Sequence, residues 1–200
     1  MPLTHVFFDI GGVLGTNGWD REQRARAIEH FGLDEEFNGR HAELIGEWES
    51  GRITLADYLD STVFFEPQPF AREDFRAFML GQSEGWPASI ALARQVAERG
   101  RVRLFTLNNE AEELNAHRIA TFGLRGIFDA FLSSCWLGIR KPSPVIFTRA
   151  LGIAQAAPAG VLFVDDREQN LGPARRMGFE THLFRGAEGL EAALRAHELL

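Results

Sequence analysis

Several residue types are scarce in this chain of 200 residues, and each shortage narrows what the protein can be. Cys135 is the only cysteine, so the chain contains neither a disulfide framework nor a cysteine metal cluster. No apolar run approaches the ~20 residues of a membrane span, and the first residues lack the basic leader of a signal peptide. We therefore expect a cytoplasmic protein.

Positive charge is also in short supply. Lys and Arg number 21 against 28 Asp and Glu, which gives a net charge of −7 with His neutral. A surface of that sign repels nucleic-acid backbones and anionic membranes, so we expect neither as a partner. A small anionic substrate is compatible with this balance if positive charge gathers locally at the site.

Lysine is the scarcest charged residue. Lys141 is the only one among the 21 basic residues, which leaves 21 − 1 = 20 arginines. A lysine ammonium is a compact point charge on a flexible stem, and it suits a crowded phosphate site better than the planar fork of Arg. We interpret Lys141 as an active-site cation. The alternative is compositional drift that left one lysine by chance.

What the chain does contain includes two apolar runs that end on acidic residues. The first ends on Asp9, and the second ends on Asp165 and Asp166. Apolar runs rich in branched and aromatic residues indicate buried parallel strands, and the carboxyl ends of such strands meet at one edge of a sheet. These acids and Lys141 are therefore predicted to share one crevice.

The periodicity along the chain predicts an α/β fold with a doubly wound, Rossmann-like parallel sheet of five strands. The predicted strands cover residues 4–10, 101–107, 129–134, 160–165 and 180–184. The predicted helices around them cover residues 87–99, 111–122, 144–151 and 169–177.

A second set of helical segments lies between the first two strands. They cover residues 20–31, 35–50, 54–61 and 71–80. That block is too long for an ordinary crossover, so it predicts an inserted all-helical cap. We expect residues 1–15 and 85–200 to form a Rossmann-like catalytic core and residues 16–84 to form the cap.

Four motifs in this order resemble those of the haloacid dehalogenase superfamily, mainly its phosphatases, and the resemblance covers the chain end to end. They are Phe8 to Leu14, Thr106 to Asn109, Lys141-Pro142, and Asp165-Asp166 with Asn170. The cap between the first two motifs is similar to that of the helical-cap subgroup. The Asp-x-Gly beginning looks closest to the sugar-phosphate phosphatases called glucose-1-phosphatase-like.

The resemblance implies a role for each motif residue. Asp9 would be the nucleophile that forms an aspartyl phosphate, and Lys141 would lie against Asp9 and the phosphoryl oxygens. Mg²⁺ would be held by Asp9, the backbone carbonyl of Gly11 and Asp166. Asp165 would be a further ligand through water, or an orienting neighbour. The Lys141–Pro142 peptide bond would be cis, as it often is in relatives.

The second motif has an open register. The family usually carries Ser or Thr there, and an ungapped comparison places Leu107 or Asn108 in that position. We expect Asn108 and Asn109 to contact the substrate phosphate, together with Gly12 of the first turn. Thr106, which has the hydroxyl, is the alternative.

The main departure from the family pattern is Gly11. Phosphatases of the family usually carry a second Asp there as general acid, and glycine supplies no proton. Either another group protonates the leaving oxygen, or the leaving group is good, or the enzyme is slow or inactive. We expect a Mg²⁺-dependent phosphatase of a small phosphorylated metabolite, with sugar phosphates favoured. The alternatives are a 2-haloacid dehalogenase and a catalytically weakened binding protein, and the oligomeric state stays open.

Overall fold

The computed structural model describes residues 2–200, and a five-stranded sheet lies at its centre. The strands are β1 (His5–Phe8), β2 (Arg103–Thr106), β3 (Ala130–Phe131), β4 (Val161–Asp165) and β5 (Glu180–Leu183). Their order across the sheet is β3-β2-β1-β4-β5, and every neighbouring pair is parallel. The predicted α/β fold with a five-stranded parallel sheet is thus confirmed.

The register of the central strands decides what meets at the edge of the sheet. Phe8, the last residue of β1, pairs with Thr106 on one side and with Val164 on the other. The next residue of each strand therefore emerges at the same level. This brings Asp9 beside Asp165, with the Asp9 N–H donating to the Val164 carbonyl at 2.9 Å.

Helices pack on both faces of the sheet and bury its side chains. They are α5 (Pro87–Arg99), α6 (Glu112–Thr121), α7 (Ser134–Leu137), α8 (Pro144–Ala154), α9 (Glu168–Arg176) and α10 (Ala187–Ala196). Successive residues of β1 point to opposite faces, so Val6 and Phe8 join one apolar cluster and Phe7 joins the other. The sheet is therefore buried on both sides, as the continuous apolar runs predicted.

Four further helices, which we call the cap helices, follow β1. They are α1 (Arg21–Phe31), α2 (Phe37–Glu49), α3 (Leu55–Thr62) and α4 (Arg72–Gly81). A separate apolar cluster, which includes Phe37, Tyr58 and Phe75, holds them together. The assignment of residues 16–84 to a cap domain stays a prediction.

The two connections between the cap helices and the sheet run side by side. The Thr16 N–H donates to the Glu84 carbonyl at 2.9 Å, and the Trp86 N–H donates to the Leu14 carbonyl at 2.8 Å. A Cβ placed on Gly15 would lie 2.5 Å from the Glu84 carbonyl oxygen, so only glycine allows this approach. We call this pair of segments the cap connection.

The structure differs from the predicted elements at two places. The third strand is short and soon leads into α7, although the Ser134 N–H still donates to the Asn108 carbonyl at 2.9 Å. The Ser133 hydroxyl donates to the Asn108 side chain at 2.9 Å. Helix α10 was not predicted. Within residues 2–200, no helix combines the length and the apolarity that a membrane crossing needs.

Candidate active site

Asp9 stands at the carboxyl end of β1, and both of its oxygens have a protein donor. Its Oδ1 accepts the Ile10 N–H at 2.8 Å, and its Oδ2 lies 2.9 Å from the Lys141 ammonium. The residue is buried apart from its access to the cavity described below. These contacts fix the orientation of the carboxylate.

The Lys141 ammonium has three contacts in a site that leaves it 3% exposed. Nζ lies 2.9 Å from Asp9 Oδ2, 2.6 Å from Asp165 Oδ2 and 2.8 Å from the Leu107 carbonyl oxygen. Three donors thus meet three acceptors, which a planar guanidinium could not reproduce in the same volume.

The backbone of Lys141 is held as firmly as its side chain. The Asn109 amide donates to the Lys141 carbonyl at 2.9 Å and accepts the Lys141 N–H at 2.8 Å. The peptide bond to Pro142 is cis, in agreement with the prediction. Asn109 is therefore a positioning partner of Lys141.

Asp165 and Asp166 occupy different environments although they are neighbours. Asp165 is fully buried, and its oxygens accept from the Arg167 N–H at 2.8 Å, from the Asn170 amide at 3.0 and 3.1 Å, and from Lys141. Asp166 is only half-buried, and its Oδ1 has no hydrogen-bond partner among the described residues. Asp165 thus orients Lys141, whereas Asp166 has an oxygen that is free to bind a ligand.

Three carboxylates come together at this edge with one ammonium. Asp9, Asp165 and Asp166 each present an oxygen within 4.8 Å of the others. Burial raises the pKa of Asp9 to about 8, against the attraction of Lys141 and with added repulsion from Asp165. Burial and Asp165 also raise the pKa of Asp166. This deficit of positive charge and the free Asp166 oxygen fit a hard divalent cation with oxygen ligands.

The two glycines after Asp9 have different positions. Gly12 has a φ of 70°, and a Cβ there would lie 2.4 Å from Asp166 Oδ2, so this glycine makes room for the carboxylate. Gly11 lines the cavity next to Asp9.

The residues of the predicted second motif have different environments in the structure. Thr106 is fully buried in β2, and its hydroxyl has no partner among residues 2–200. The Asn108 amide bonds Asn115 at 3.0 Å and Ser133 at 2.9 Å beneath the surface. Only Asn109 of this motif lines the cavity. A phosphate contact of Asn108 would therefore have to come from its backbone.

A cavity of about 350 Å³ lies over Asp9 and Lys141, between the sheet edge and the cap helices. Besides Asp9 and Lys141, the titratable residues that line it are Asp20, Arg24, His41, Glu49, Glu110, Arg118, Arg140 and Arg167, and the sequence analysis assigned none of these to the site. Arg140, Glu110 and Arg167 stand directly beside predicted motif residues, which is a local signal. The others come from segments that the fold brings together.

Two ion pairs at this cavity join residues of the predicted cap to loops at the sheet edge. Arg140 Nε lies 2.6 Å from Glu49 Oε2, and Arg167 Nη2 lies 2.6 Å from Asp20 Oδ2. Burial raises the pKa of Glu49 to about 7, although Arg140 opposes the shift. Positively and negatively charged side chains thus line this boundary of the cavity.

A family model described as haloacid dehalogenase-like hydrolase matches residues 3–178. The chain belongs to this family. It is accordingly a haloacid dehalogenase-like hydrolase, and the superfamily to which the motifs pointed is confirmed.

The chain is similar to three proteins that carry different descriptions. Pig bifunctional epoxide hydrolase 2 is 24% identical over 216 residues, which cover 94% of this chain but only 37% of the relative. The chain thus spans about a third of that relative's length. A haloacid dehalogenase family enzyme from Bacteroides thetaiotaomicron, in complex with magnesium and inorganic phosphate, has a TM-score of 0.77 at 22% identity and covers 92% and 94% of the two chains. The L-2-haloacid dehalogenase of Xanthobacter autotrophicus has a TM-score of 0.62 at 18% identity, with 99% and 84% covered.

Proposed function

We propose that this hydrolase is a Mg²⁺-dependent phosphatase that acts on a small phosphorylated metabolite through an aspartyl phosphate. The observation that carries the proposal is the group of three carboxylates around Lys141, in which Asp166 keeps a free oxygen. A site built only to displace a halide has no use for this excess of negative charge.

Asp9 acts as the nucleophile in this proposal. Its carboxylate attacks phosphorus, and Lys141 reduces the repulsion between that carboxylate and the phosphoryl oxygens because its ammonium already contacts Asp9. Asp165 and Asn109 hold Lys141 in place through its side chain and its backbone. Asp9 is released when water hydrolyses the aspartyl phosphate.

The metal would be held by Asp9, Asp166 and the Gly11 carbonyl, with Asp165 as the orienting neighbour. When bound, Mg²⁺ would supply positive charge that offsets the phosphoryl oxygens and the carboxylates. The magnesium and phosphate complex of the Bacteroides relative supports this choice of ion and of substrate group.

The leaving group is proposed to be a sugar or a similar polyol, as in the glucose-1-phosphatase-like subgroup. Support comes from the cap side of the cavity, where Arg24, His41 and Glu49 contribute polar side chains to the lining. We place the enzyme in the cytoplasm, with neither nucleic acid nor membrane as partner.

Hydrolysis of p-nitrophenyl phosphate with and without EDTA tests the proposal. We expect turnover that EDTA abolishes and Mg²⁺ restores, followed by preferences among phosphorylated sugars in a metabolite screen. Chloride release from a 2-haloacid without phosphate ester turnover would instead favour a dehalogenase. Absence of both activities would favour a binding protein that has lost catalysis.

A further inference from the structure

The cavity holds a charged pair beside Gly11 that the proposed mechanism has not used. A Cβ built on Gly11 would lie 3.6 Å from Arg118 Nη1 and 3.1 Å from Asn17 Oδ1. A guanidinium from α6 therefore stands where a side chain at residue 11 would reach. Cleavage of an alkyl phosphate places negative charge on the departing oxygen, so a fixed cation beside Gly11, in the cavity that Asp9 also lines, bears directly on that step.

Arg118 is held in place and still has donors to spare. It is 1% exposed, its Nη1 donates to Glu110 Oε2 at 2.6 Å, and its Nη2 donates to the Thr16 carbonyl. A guanidinium has five N–H donors, of which these bonds use two. Within residues 2–200 its Nε is buried without a partner, so the donors that remain for a ligand belong to Nη1 and Nη2. Arg118 and Glu110 both line the cavity that contains Asp9.

We propose that Arg118 stabilises the charge on the leaving oxygen, and that Glu110 is a positioning residue that fixes the guanidinium. This inference rests on the phosphatase function proposed above. It explains why glycine at position 11 is compatible with catalysis, since Arg118 occupies the space beside it.

The bonds change as follows. An Asp9 oxygen bonds to phosphorus while the bond from phosphorus to the ester oxygen breaks, and that electron pair passes to the ester oxygen. Arg118 donates hydrogen bonds to this oxygen, which then takes a proton from water. The resulting hydroxide attacks phosphorus of the aspartyl phosphate, which returns the Asp9 carboxylate and releases hydrogen phosphate.

Glu110 could instead donate the proton itself, and pH separates the two roles. Burial raises the pKa of Glu110 while Arg118 opposes the shift, and Asp20 and Glu49 are the other charged groups that act on it from the cap. The 2.6 Å contact with Arg118 favours the carboxylate form. A guanidinium stays charged across the working range, whereas an acid loses its proton as the pH rises.

The test measures kcat/KM for phosphate esters graded from p-nitrophenyl phosphate to alkyl phosphates. We expect Arg118→Met to lower alkyl ester hydrolysis by about 10²–10³-fold and aryl ester hydrolysis by less than about 10-fold, because nitrophenolate is already a stable anion. Glu110→Gln should give a smaller loss with the same selectivity. Arg195→Met, which removes the Arg of an exposed pair with Glu191, is the matched control and should change nothing.

A folded Arg118→Met enzyme that loses both ester classes equally, or loses neither, overturns the inference. If that variant does not fold, Arg118→Lys keeps the charge but shortens its reach, and it must show the same selective loss. In the wild type, the ratio of alkyl to aryl kcat/KM should stay flat from mildly acidic to mildly alkaline pH. A ratio that falls with pH, and becomes flat in Glu110→Gln, would assign the proton to Glu110 and reject the role of Arg118. No turnover of any ester by the wild type would reject the phosphatase proposal itself.

Discussion

Two buried charge clusters face the same cavity, and they are balanced in different ways. Around Lys141, three carboxylates share one ammonium, so the cluster lacks positive charge. Around Arg118, one guanidinium meets one carboxylate and one backbone carbonyl, so charge is balanced without an added ion. A cluster that lacks positive charge indicates a place for an added cation, whereas a balanced cluster needs no ion and can present a fixed charge to the substrate.

The first way to break this comparison is Asp9→Asn. We expect phosphatase activity to fall below detection, because an amide is a poor nucleophile. The midpoint of thermal unfolding should not fall, since the change removes one of the crowded negative charges. Turnover of p-nitrophenyl phosphate and thermal unfolding measure the two effects. Asp74→Asn, at an exposed position of α4, serves as control. Retained activity would contradict the role of Asp9.

Substitution of Lys141 tests the same cluster by altering its positive charge. Lys141→Arg should lower kcat by about 10²-fold or more, because the fork cannot meet the same three acceptors. Lys141→Met should in addition destabilise the fold by about 3–5 kcal/mol, because it leaves buried carboxylates without their partner. Denaturant unfolding and ester turnover provide the readouts. Near-normal turnover by the Arg variant would show that Lys141 is not a point-charge site.

Metal addition sharpens the contrast between the clusters. Mg²⁺ should raise the midpoint of thermal unfolding, since an ion that binds only the folded state stabilises it by about 2.7 kcal/mol at 100 times its Kd. The shift in the unfolding midpoint should be smaller in Asp166→Asn, because the variant removes the negative charge of the carboxylate whose Oδ1 is unpartnered in the structure. It should be unchanged in Glu110→Gln. Equal shifts in Asp166→Asn and the wild type would place the ion elsewhere.

The smallest expected effect concerns Glu49 and pH. Its pKa is raised from 4.5 to about 7 on folding, so the folded state holds its proton more tightly than the unfolded chain does. The contribution of Glu49 to stability should therefore fall as the pH rises from 4.5 to about 7, by on the order of 1–3 kcal/mol. Glu49→Gln should remove this part of the fall and leave the part that comes from Asp9, Asp166 and Glu110, whose pKa values burial also raises. The free energy of unfolding as a function of pH, measured for both proteins, provides the check.

The sequence allowed the Lys141 cluster to be predicted because its signals are local. Asp9 and Asp165 follow apolar strands that pair in register, so the edge at which they meet can be inferred without the structure. The cap side of the cavity, with Arg24, His41 and Glu49, and the pair of Arg118 and Glu110 could not be inferred in this way. Arg118 and Glu110 lie on and beside one helix, but their meeting with the turn that holds Gly11 depends on tertiary packing.

The second motif shows a different limit. We predicted that Asn108 and Asn109 contact the phosphate, with Thr106 as the alternative. Side chains at a strand end alternate in direction, however, and a neighbouring hydrogen-bond network can engage one of them. The Asn108 side chain bonds Asn115 and Ser133. No pattern within the motif marks these distant partners, so the orientation had to come from the fold.

The cap connection has a mechanical consequence. Because its two segments are hydrogen-bonded to each other through Thr16 and Trp86, any displacement of the cap helices would move both segments together. Gly15 of this connection forms a β-bridge with Gly11, and the Thr16 carbonyl accepts a hydrogen bond from Arg118. Such a displacement would thus act directly on the residues beside Asp9, so that admission of substrate and alignment of the proposed catalytic groups would be coupled.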